Sequence, residues 1–176
     1  MKFFNTFYDE DVLKKIDFLQ NIRLFRDIGE KDLIYILESL TERTYLKGET
    51  IFTEGDIGRA LFIITSGKVA LTVFDKELKK TKQLAEVHPG EMFGEMALLE
   101  EMPRTATVTA AEDTKVLMMF NSKLENLFLS KPKIGIIIAT QLAKIMSSRL
   151  RAQIEMSEAI ISRNRRVTDP DFTKKD

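Results

Sequence analysis

The stretch FGEMALLEEMPRTATVTA, residues Phe93 to Ala110, decides how the rest of the sequence is interpreted. A buried strand does not favour a glycine and a carboxylate at its start, and a simple turn does not need an apolar Met-Ala-Leu-Leu insert. Gly94 and Glu95 instead open a short helical turn after a strand end, and Pro103 and Arg104 follow it. The segment therefore brings an acid, an arginine and bare backbone amides to one place.

These groups suit a sugar phosphate. The N-terminus of a helical turn presents free N–H groups and partial positive charge, which favour an anion. The Arg104 guanidinium can hold a phosphate through two parallel hydrogen bonds, and Thr105 adds a hydroxyl and an amide. The carboxylate of Glu95 offers acceptor oxygens to sugar hydroxyls. On this chemistry alone, an Arg104–Glu95 salt bridge that ties two turns together is an equally open alternative.

The charge around the segment indicates a ligand with one negative charge. Between residues 86 and 113 there is one arginine or lysine, Arg104, among seven acidic residues, which are Glu86, Glu91, Glu95, Glu100, Glu101, Glu112 and Asp113. A site for a highly charged polyphosphate would be basic overall. A single placed arginine in acidic surroundings therefore predicts a monoanionic phosphate.

Composition indicates one soluble domain with appendages. The chain has 176 residues, 44% hydrophobic and 31% charged, and its 27 Lys+Arg balance its 27 Asp+Glu. It has no cysteine, which excludes disulfides and thiolate metal sites. No apolar run is long enough to cross a bilayer, and the N-terminus does not resemble a signal peptide, so we expect a cytoplasmic protein without membrane contact.

Hydrophobic periodicity places helices at both ends of a β-rich middle. Apolar residues recur at three and four between residues 10 and 40, which predicts two helices with Gly29 before the second. The period then becomes two, and glycines at turn spacing separate about eight short strands without a long helix between them. This pattern predicts an α+β fold, an antiparallel eight-stranded β-roll of jelly-roll type flanked by N-terminal helices and a long C-terminal helix.

The C-terminal part returns to the helical period. The run NSKLENLF predicts a short helix capped by Asn121 or Ser122, and a long helix follows Pro132. Arg149 interrupts an apolar seam on the long helix, formed by Ile138, Leu142, Ile145, Ala152, Met156 and Ala159. The seam is longer than one small roll needs, which predicts a homodimer through this helix. A helix that only covers its own roll is the alternative.

The stretch FGEMALLEEMPRTATVTA closely resembles the phosphate-binding cassette of the cyclic nucleotide-binding domain family. That family includes catabolite activator protein, protein kinase A regulatory subunits and cyclic nucleotide-gated channels. LKGETIFTEGDIGRALFIITSGKVAL resembles the opening strands of the family's β-roll, and the likeness extends over roughly residues 22 to 160. We therefore expect an N-terminal helical extension at 1–21, a cyclic nucleotide-binding domain at 22–162 and a disordered tail at 163–176.

The resemblance implies a role for each residue that matches the cassette. Gly94 and Glu95 would hold the ribose 2′-hydroxyl. The amides of Ala97 and Thr105 and the side chain of Arg104 would hold the cyclic phosphate. Thr105 would add its hydroxyl, and Ala106 would keep the strand close to the ligand. The base would meet the long C-terminal helix near Arg149 and Leu150.

The resemblance also implies the function of a sensor. We expect a domain that binds cyclic AMP rather than cyclic GMP, although Thr105 does not settle the base, and that signals to a downstream protein through its C-terminal helices. Catalysis, a cofactor and a bound metal are not expected, because one histidine, His88, cannot form a metal site. DNA binding is not expected without a helix-turn-helix. The alternative is a roll that serves as a dimerisation or partner-binding module without nucleotide.

Overall fold

The computed structural model describes residues 9–75, 77–98 and 100–168, with side chains described through residue 159 and at 161. The chain separates into two compact units, Met1–Ile138 and Ala139–Asp176. The predicted N-terminal extension is described from residue 9 onward.

Within the described residues the chain forms four α-helices, eight strands and one 3-10 turn. In chain order they are α1 (Glu10–Asn21), α2 (Glu30–Ser39), β1 (Thr41–Tyr45), β2 (Thr50–Phe52), β3 (Ala60–Ser66), β4 (Val69–Asp75), β5 (Lys80–Val87), β6 (Met92–Phe93), the 3-10 turn (Glu95–Leu98), β7 (Thr107–Ala110), β8 (Thr114–Phe120), α3 (Asn121–Ser130) and α4 (Pro132–Thr168).

The described strands form two four-stranded sheets. The first has the order β1-β8-β3-β6 and the second the order β2-β7-β4-β5, and neighbouring strands are antiparallel. The predicted antiparallel eight-stranded roll is therefore confirmed. The non-sequential strand orders are those of a roll, in which the chain passes repeatedly from one sheet to the other.

The central strands of the first sheet are buried on both faces. Side chains alternate across a strand, so Phe62 and Ile64 of β3 point into the roll while Leu61 and Ile63 point to the opposite face. All four are at most 4% exposed. This double burial explains why β3 begins with the continuous apolar run ALFII, whereas strands with one wet face alternate.

The roll interior is an apolar cluster drawn from both sheets. Its buried members are Tyr45, Ala60, Phe62, Ile64, Val69, Val87, Phe93, Val108, Ala110, Val116 and Met118. Burial raises the pKa of the Tyr45 hydroxyl, because the charged phenolate is disfavoured away from water. Ile51, Phe52 and Leu71 pack against this cluster from partly exposed positions.

The helices agree with the predicted periods but not with every predicted end. Gly29 is the N-cap of α2, as expected. The capping prediction for α3 was wrong, because the helix starts at Asn121 itself and its N-cap, Phe120, makes no side-chain cap hydrogen bond. The final helix continues to Thr168, past the predicted boundary at 163. Residues 169–176 of the predicted tail lie outside the described residues. The N-terminal phenylalanines at positions 3, 4 and 7 also lie outside them.

Two turn glycines provide a test of the roll's geometry. Gly48 and Gly67 have φ of 85° and 78°, so alanine at either position bears a similar left-handed strain of about 1–2 kcal/mol. At Gly67 an added Cβ would also lie 2.4 Å from the Asp113 carbonyl oxygen, whereas at Gly48 nothing lies within 4 Å. Gly67→Ala should therefore lower the free energy of unfolding by about 1–3 kcal/mol more than Gly48→Ala, measured by urea denaturation. Equal losses would contradict this close approach.

Candidate functional site

The segment between β6 and β7 buries the carboxylate of Glu95 and half-buries the side chain of Arg104. Gly94 follows β6 with φ of 72°, a left-handed conformation that favours glycine. The 3-10 turn Glu95–Leu98 follows directly, and Glu95 is only 4% exposed although it is a carboxylate. The helical turn predicted after the strand end is thus confirmed.

Arg104 is held by a loop from a distant part of the chain. The Arg104 amide donates to the Asp56 carbonyl oxygen at 2.7 Å, and the Gly55 amide donates to the Arg104 carbonyl oxygen at 2.9 Å. Ile57 and Pro103 form an antiparallel bridge between the same segments. The backbone of Arg104 is therefore fixed by hydrogen bonds rather than by the proline alone.

The guanidinium of Arg104 points into the fold and binds backbone oxygens. Its Nη1 donates to the Gly94 carbonyl oxygen at 3.1 Å and its Nη2 to the Ala60 carbonyl oxygen at 2.8 Å. The arginine thus ties the cassette turn to β3 through main-chain acceptors. These bonds use only part of the five N–H donors of a guanidinium, so the same group retains capacity for an anion.

Burial and neighbouring carboxylates act on this charge in opposite directions. Partial burial lowers the pKa of the Arg104 guanidinium, because the charged form loses hydration. The carboxylates of Glu95 and Asp56 raise that pKa in part. An arginine keeps its proton despite such a shift, so the site presents a permanent positive charge.

An aromatic cluster forms the floor under the guanidinium. The Arg104 Cζ lies 4.0 Å from the ring centroid of Phe52 and 5.7 Å from that of Phe62. Phe62 and Phe93 stack with centroids 5.0 Å apart and planes 5° from parallel. Phe52 meets both rings at an angle, at 5.6 and 5.9 Å. The positive charge therefore lies over a ring that is itself fixed by two others.

Two glycines form the walls of the same compartment. A Cβ added at Gly94 would lie 2.6 Å from Nη1 of Arg104. A Cβ added at Gly58 would lie 2.6 Å from the Ala97 Cβ and 3.2 Å from the Arg104 Cζ. Any side chain at either position would displace the guanidinium or the 3-10 turn.

Three of the predicted cassette residues lie close to Arg104. Gly94 accepts its hydrogen bond, Glu95 acts on its charge, and Ala97 borders Gly58 together with the guanidinium. Thr105 and Ala106 follow Arg104 directly in the chain. Ala97 and Ala106 are buried, and Thr105, the residue after Arg104, is exposed. The predicted base contacts, Arg149 and Leu150, are both exposed and belong to the second unit. Their role remains a prediction.

Several residues of the site were not identified from the sequence. The sequence pattern places Phe52, Asp56 and Ala60 only within a series of strands and turns, and Gly58 only among its turn glycines. They reach Arg104 through contacts that span 44 or more positions. The one local signal was the polar, glycine-rich run TEGDIG between two apolar strands, which marks a loop but not its partner.

Other kinds of site are not apparent in the part of the chain that the structure describes. No group of three or more His, Asp or Glu side chains there is placed to hold a metal ion. None of the described helices combines the length and the apolar composition that a bilayer crossing requires.

The family comparison agrees with the geometry. Residues 42–131 match the family model of the cyclic nucleotide-binding domain. The chain is 37% identical over 135 residues to the cyclic AMP receptor protein of Thermus thermophilus, which covers 76% of this chain and 60% of the relative. It is 31% identical over 113 residues to the cAMP-dependent protein kinase regulatory subunit of Dictyostelium discoideum, covering 63% of this chain and 35% of the relative.

The fold comparison gives the same result. The crystal structure of Thermus thermophilus catabolite activator protein superposes with a TM-score of 0.70 at 34% identity, over 80% of this chain and 63% of that one. This chain thus spans less than two thirds of the length of these relatives. The two-sheet roll with its half-buried cassette arginine is that of a cyclic nucleotide-binding regulatory domain. The chain belongs to the cyclic nucleotide-binding domain family.

Removing the guanidinium should destabilise the ligand-free protein. Arg104→Ala should lower the free energy of unfolding by about 1–3 kcal/mol, because charge-assisted hydrogen bonds to the Gly94 and Ala60 carbonyls are lost. Arg43 is a matched control, since its Cζ lies 4.4 Å from the Tyr45 ring centroid but its side chain is 54% exposed. Arg43→Ala should cost less than about 1 kcal/mol by the same urea denaturation. Similar losses for both would contradict an internal role for Arg104.

Proposed function

We propose that this chain is a cyclic nucleotide receptor domain that binds cyclic AMP in preference to cyclic GMP and regulates other proteins without catalysis. The observation that carries the proposal is the Arg104 guanidinium, half-buried and held beside the left-handed Gly94 at the start of the 3-10 turn. A protein rarely buries an arginine among backbone oxygens and aromatic rings unless its charge serves an anion or a structural network.

The charges in the site match one cyclic phosphate. Arg104 supplies one positive charge, and the amide of Thr105 and the first amides of the 3-10 turn would supply further donors. The Ala97 amide donates to the Gly94 carbonyl oxygen at 3.3 Å, so it would have to leave or share this bond to reach a phosphate. The buried carboxylate of Glu95 suits a neutral hydroxyl donor such as the ribose 2′-hydroxyl. The preference for cyclic AMP draws support from the names of the relatives, a cyclic AMP receptor protein and a cAMP-dependent kinase regulatory subunit.

The proposed signal is a shift in the position of the C-terminal helices. Helix α3 contacts the 3-10 turn. Gly135, in the first turn of α4, lies so close to Phe128 of α3 that a Cβ would stand 2.3 Å from the ring. A phosphate that draws the 3-10 turn inward would therefore shift the preferred position of α3, and α3 would in turn shift the start of α4. The ligand selects one of two arrangements, as in any population shift.

The decisive experiment is a calorimetric titration of the whole chain with cyclic AMP, cyclic GMP and 5′-AMP. Cyclic AMP should bind most tightly. Arg104→Ala should weaken its binding by about 30-fold to several thousandfold, because an unpaired phosphate costs about 2–5 kcal/mol. Arg43→Ala should bind as the unmodified chain does. Unchanged affinity in a folded Arg104→Ala protein would refute the site, and no binding of any of the three would favour a module that works without nucleotide.

The ribose contact has its own test. A site built to hydrogen-bond a hydroxyl discriminates against ligands that lack it. Cyclic AMP should therefore bind clearly more tightly than 2′-deoxy cyclic AMP, and Glu95→Ala should remove most of this difference. A competition assay with both ligands measures it. Equal affinity of the unmodified chain for the two would exclude Glu95 as the ribose contact.

We also propose that α4 mediates a homodimer. In the unit Ala139–Asp176, the side chains of Leu150, Ile154 and Ile161 are exposed apolar groups. They share one face of α4, because a helix turns by about 100° per residue. Met156, from the seam predicted in the sequence, is also exposed and lies on the opposite face. The helix therefore offers two candidate faces.

Paired aspartate substitutions distinguish these faces. Met156→Asp should dissociate the dimer in sedimentation at matched concentration, with little effect on unfolding, since its side chain is 68% exposed in the single chain. Ile154→Asp, on the opposite face and 49% exposed, is the control and should leave the dimer intact. The reverse outcome would place the interface on the Leu150 face. A monomer at high concentration, with or without cyclic AMP, would exclude the dimer.

A further inference from the structure

Phe52 contacts Arg104, the residue that we propose binds the phosphate, but it lies outside the cassette. It lies at the end of β2 in the second sheet, half-buried, with its ring centroid 4.0 Å from the Arg104 Cζ. The two hydrogen bonds to the Gly94 and Ala60 carbonyls fix the direction of the guanidinium within its plane. They do not fix the tilt of that plane, which requires a contact on its face.

The ring of Phe52 supplies that contact from a fixed position. It is held by Phe62 at 5.6 Å and by Phe93 at 5.9 Å, so it cannot easily turn away. A ring face carries negative electrostatic potential and attracts a cation, most strongly where water is partly excluded. An aliphatic side chain of similar size would fill the space without this attraction.

We propose that Phe52 is a positioning residue, whose ring holds the Arg104 guanidinium in the plane from which it receives the phosphate. The inference rests on the proposed function, because it assigns the purpose of the arrangement to binding. An arginine fixed before the ligand arrives loses less conformational entropy on binding. The gain is largest for a long side chain with many rotamers.

The competing explanation is that Phe52 is simply a core residue. In that case, loss of binding would follow loss of stability across the aromatic cluster. Phe62 separates the two explanations. It is more buried, at 4% exposed, and stacks on Phe93, yet its centroid is 5.7 Å from the Arg104 Cζ. If Phe52 is only a core residue, substitution of Phe62 should weaken binding more. If Phe52 positions the arginine, substitution of Phe52 should weaken binding more.

The experiment compares Phe52→Leu, Phe52→Tyr and Phe62→Leu by calorimetric titration with cyclic AMP and by urea unfolding. Phe52→Leu should weaken binding about 5- to 30-fold, which corresponds to about 1–2 kcal/mol, because the guanidinium must then be ordered when the ligand binds. Phe52→Tyr keeps the ring and should bind within about twofold of the unmodified chain. Phe62→Leu should lower the unfolding midpoint more than Phe52→Leu while weakening binding less. Phe52→Met replaces Phe52→Leu if the latter does not fold.

The outcomes separate this inference from the proposed function. Unchanged affinity in Phe52→Leu, no rescue by Phe52→Tyr, or binding losses that follow the order of stability would overturn the positioning role. If the unmodified chain binds no cyclic nucleotide, the proposed function fails instead. A double-mutant cycle of Phe52→Leu with Arg104→Ala on the unfolding midpoint then still decides whether the ring holds the arginine. Additive changes would overturn that contact, and non-additive changes would support it.

Discussion

The arrangement around Arg104 depends on one requirement, that the charge of a half-buried guanidinium be satisfied within the fold. Its charge is partly desolvated, which is unfavourable unless hydrogen bonds and polarisable groups replace the lost water. Here backbone carbonyls accept from its edge and an aromatic ring lies under its face. Glycine at positions 58 and 94 follows from the same requirement, because a Cβ at either would occupy the guanidinium's space.

The roll meets this requirement by placing the arginine where its two sheets approach each other. Ala60 belongs to β3 and Gly94 follows β6, which pairs with β3, so the carbonyls that accept from Arg104 come from the first sheet. Phe52 comes from β2 in the second sheet. Phe62 and Phe93 both belong to the first sheet, and the Phe52 ring packs against them from the second. The site is thus supported by the same core that stabilises the fold, which makes its geometry rigid.

The proposed signal depends on the contacts between the site and the helices. The 3-10 turn contacts both β3 and α3, so it stands between a rigid strand and a helix. Phe128 is 36% exposed and rests on Gly135 through a contact between side chain and backbone rather than through hydrogen bonds. The proposed population shift requires two arrangements of these contacts that differ by only a few kcal/mol.

Local pattern in the sequence was sufficient for much of the structure. The change of hydrophobic period from 3.6 to 2 predicted the helical ends and the eight strands, and Gly-Glu followed by Pro-Arg predicted a helical turn and a placed arginine. These features depend on neighbouring residues, whose spacing is fixed by helix and strand geometry. Asn121 and Ser122 were predicted to cap α3 because both have good capping side chains. The helix follows β8 without a gap, so Phe120 takes the N-cap position and both residues lie inside the helix.

Tertiary structure alone decided what Arg104 touches. In the folded chain the carboxylate of Glu95 acts on the charge of Arg104. The guanidinium also bonds the carbonyl oxygen of Ala60, 44 positions away, and lies over the ring of Phe52. Such partners depend on strand order and register across both sheets, and register is set by burial summed over the whole chain rather than by any local run. The amino-acid sequence therefore determined which chemical groups the site contains, and the packing of the roll determined how they are oriented.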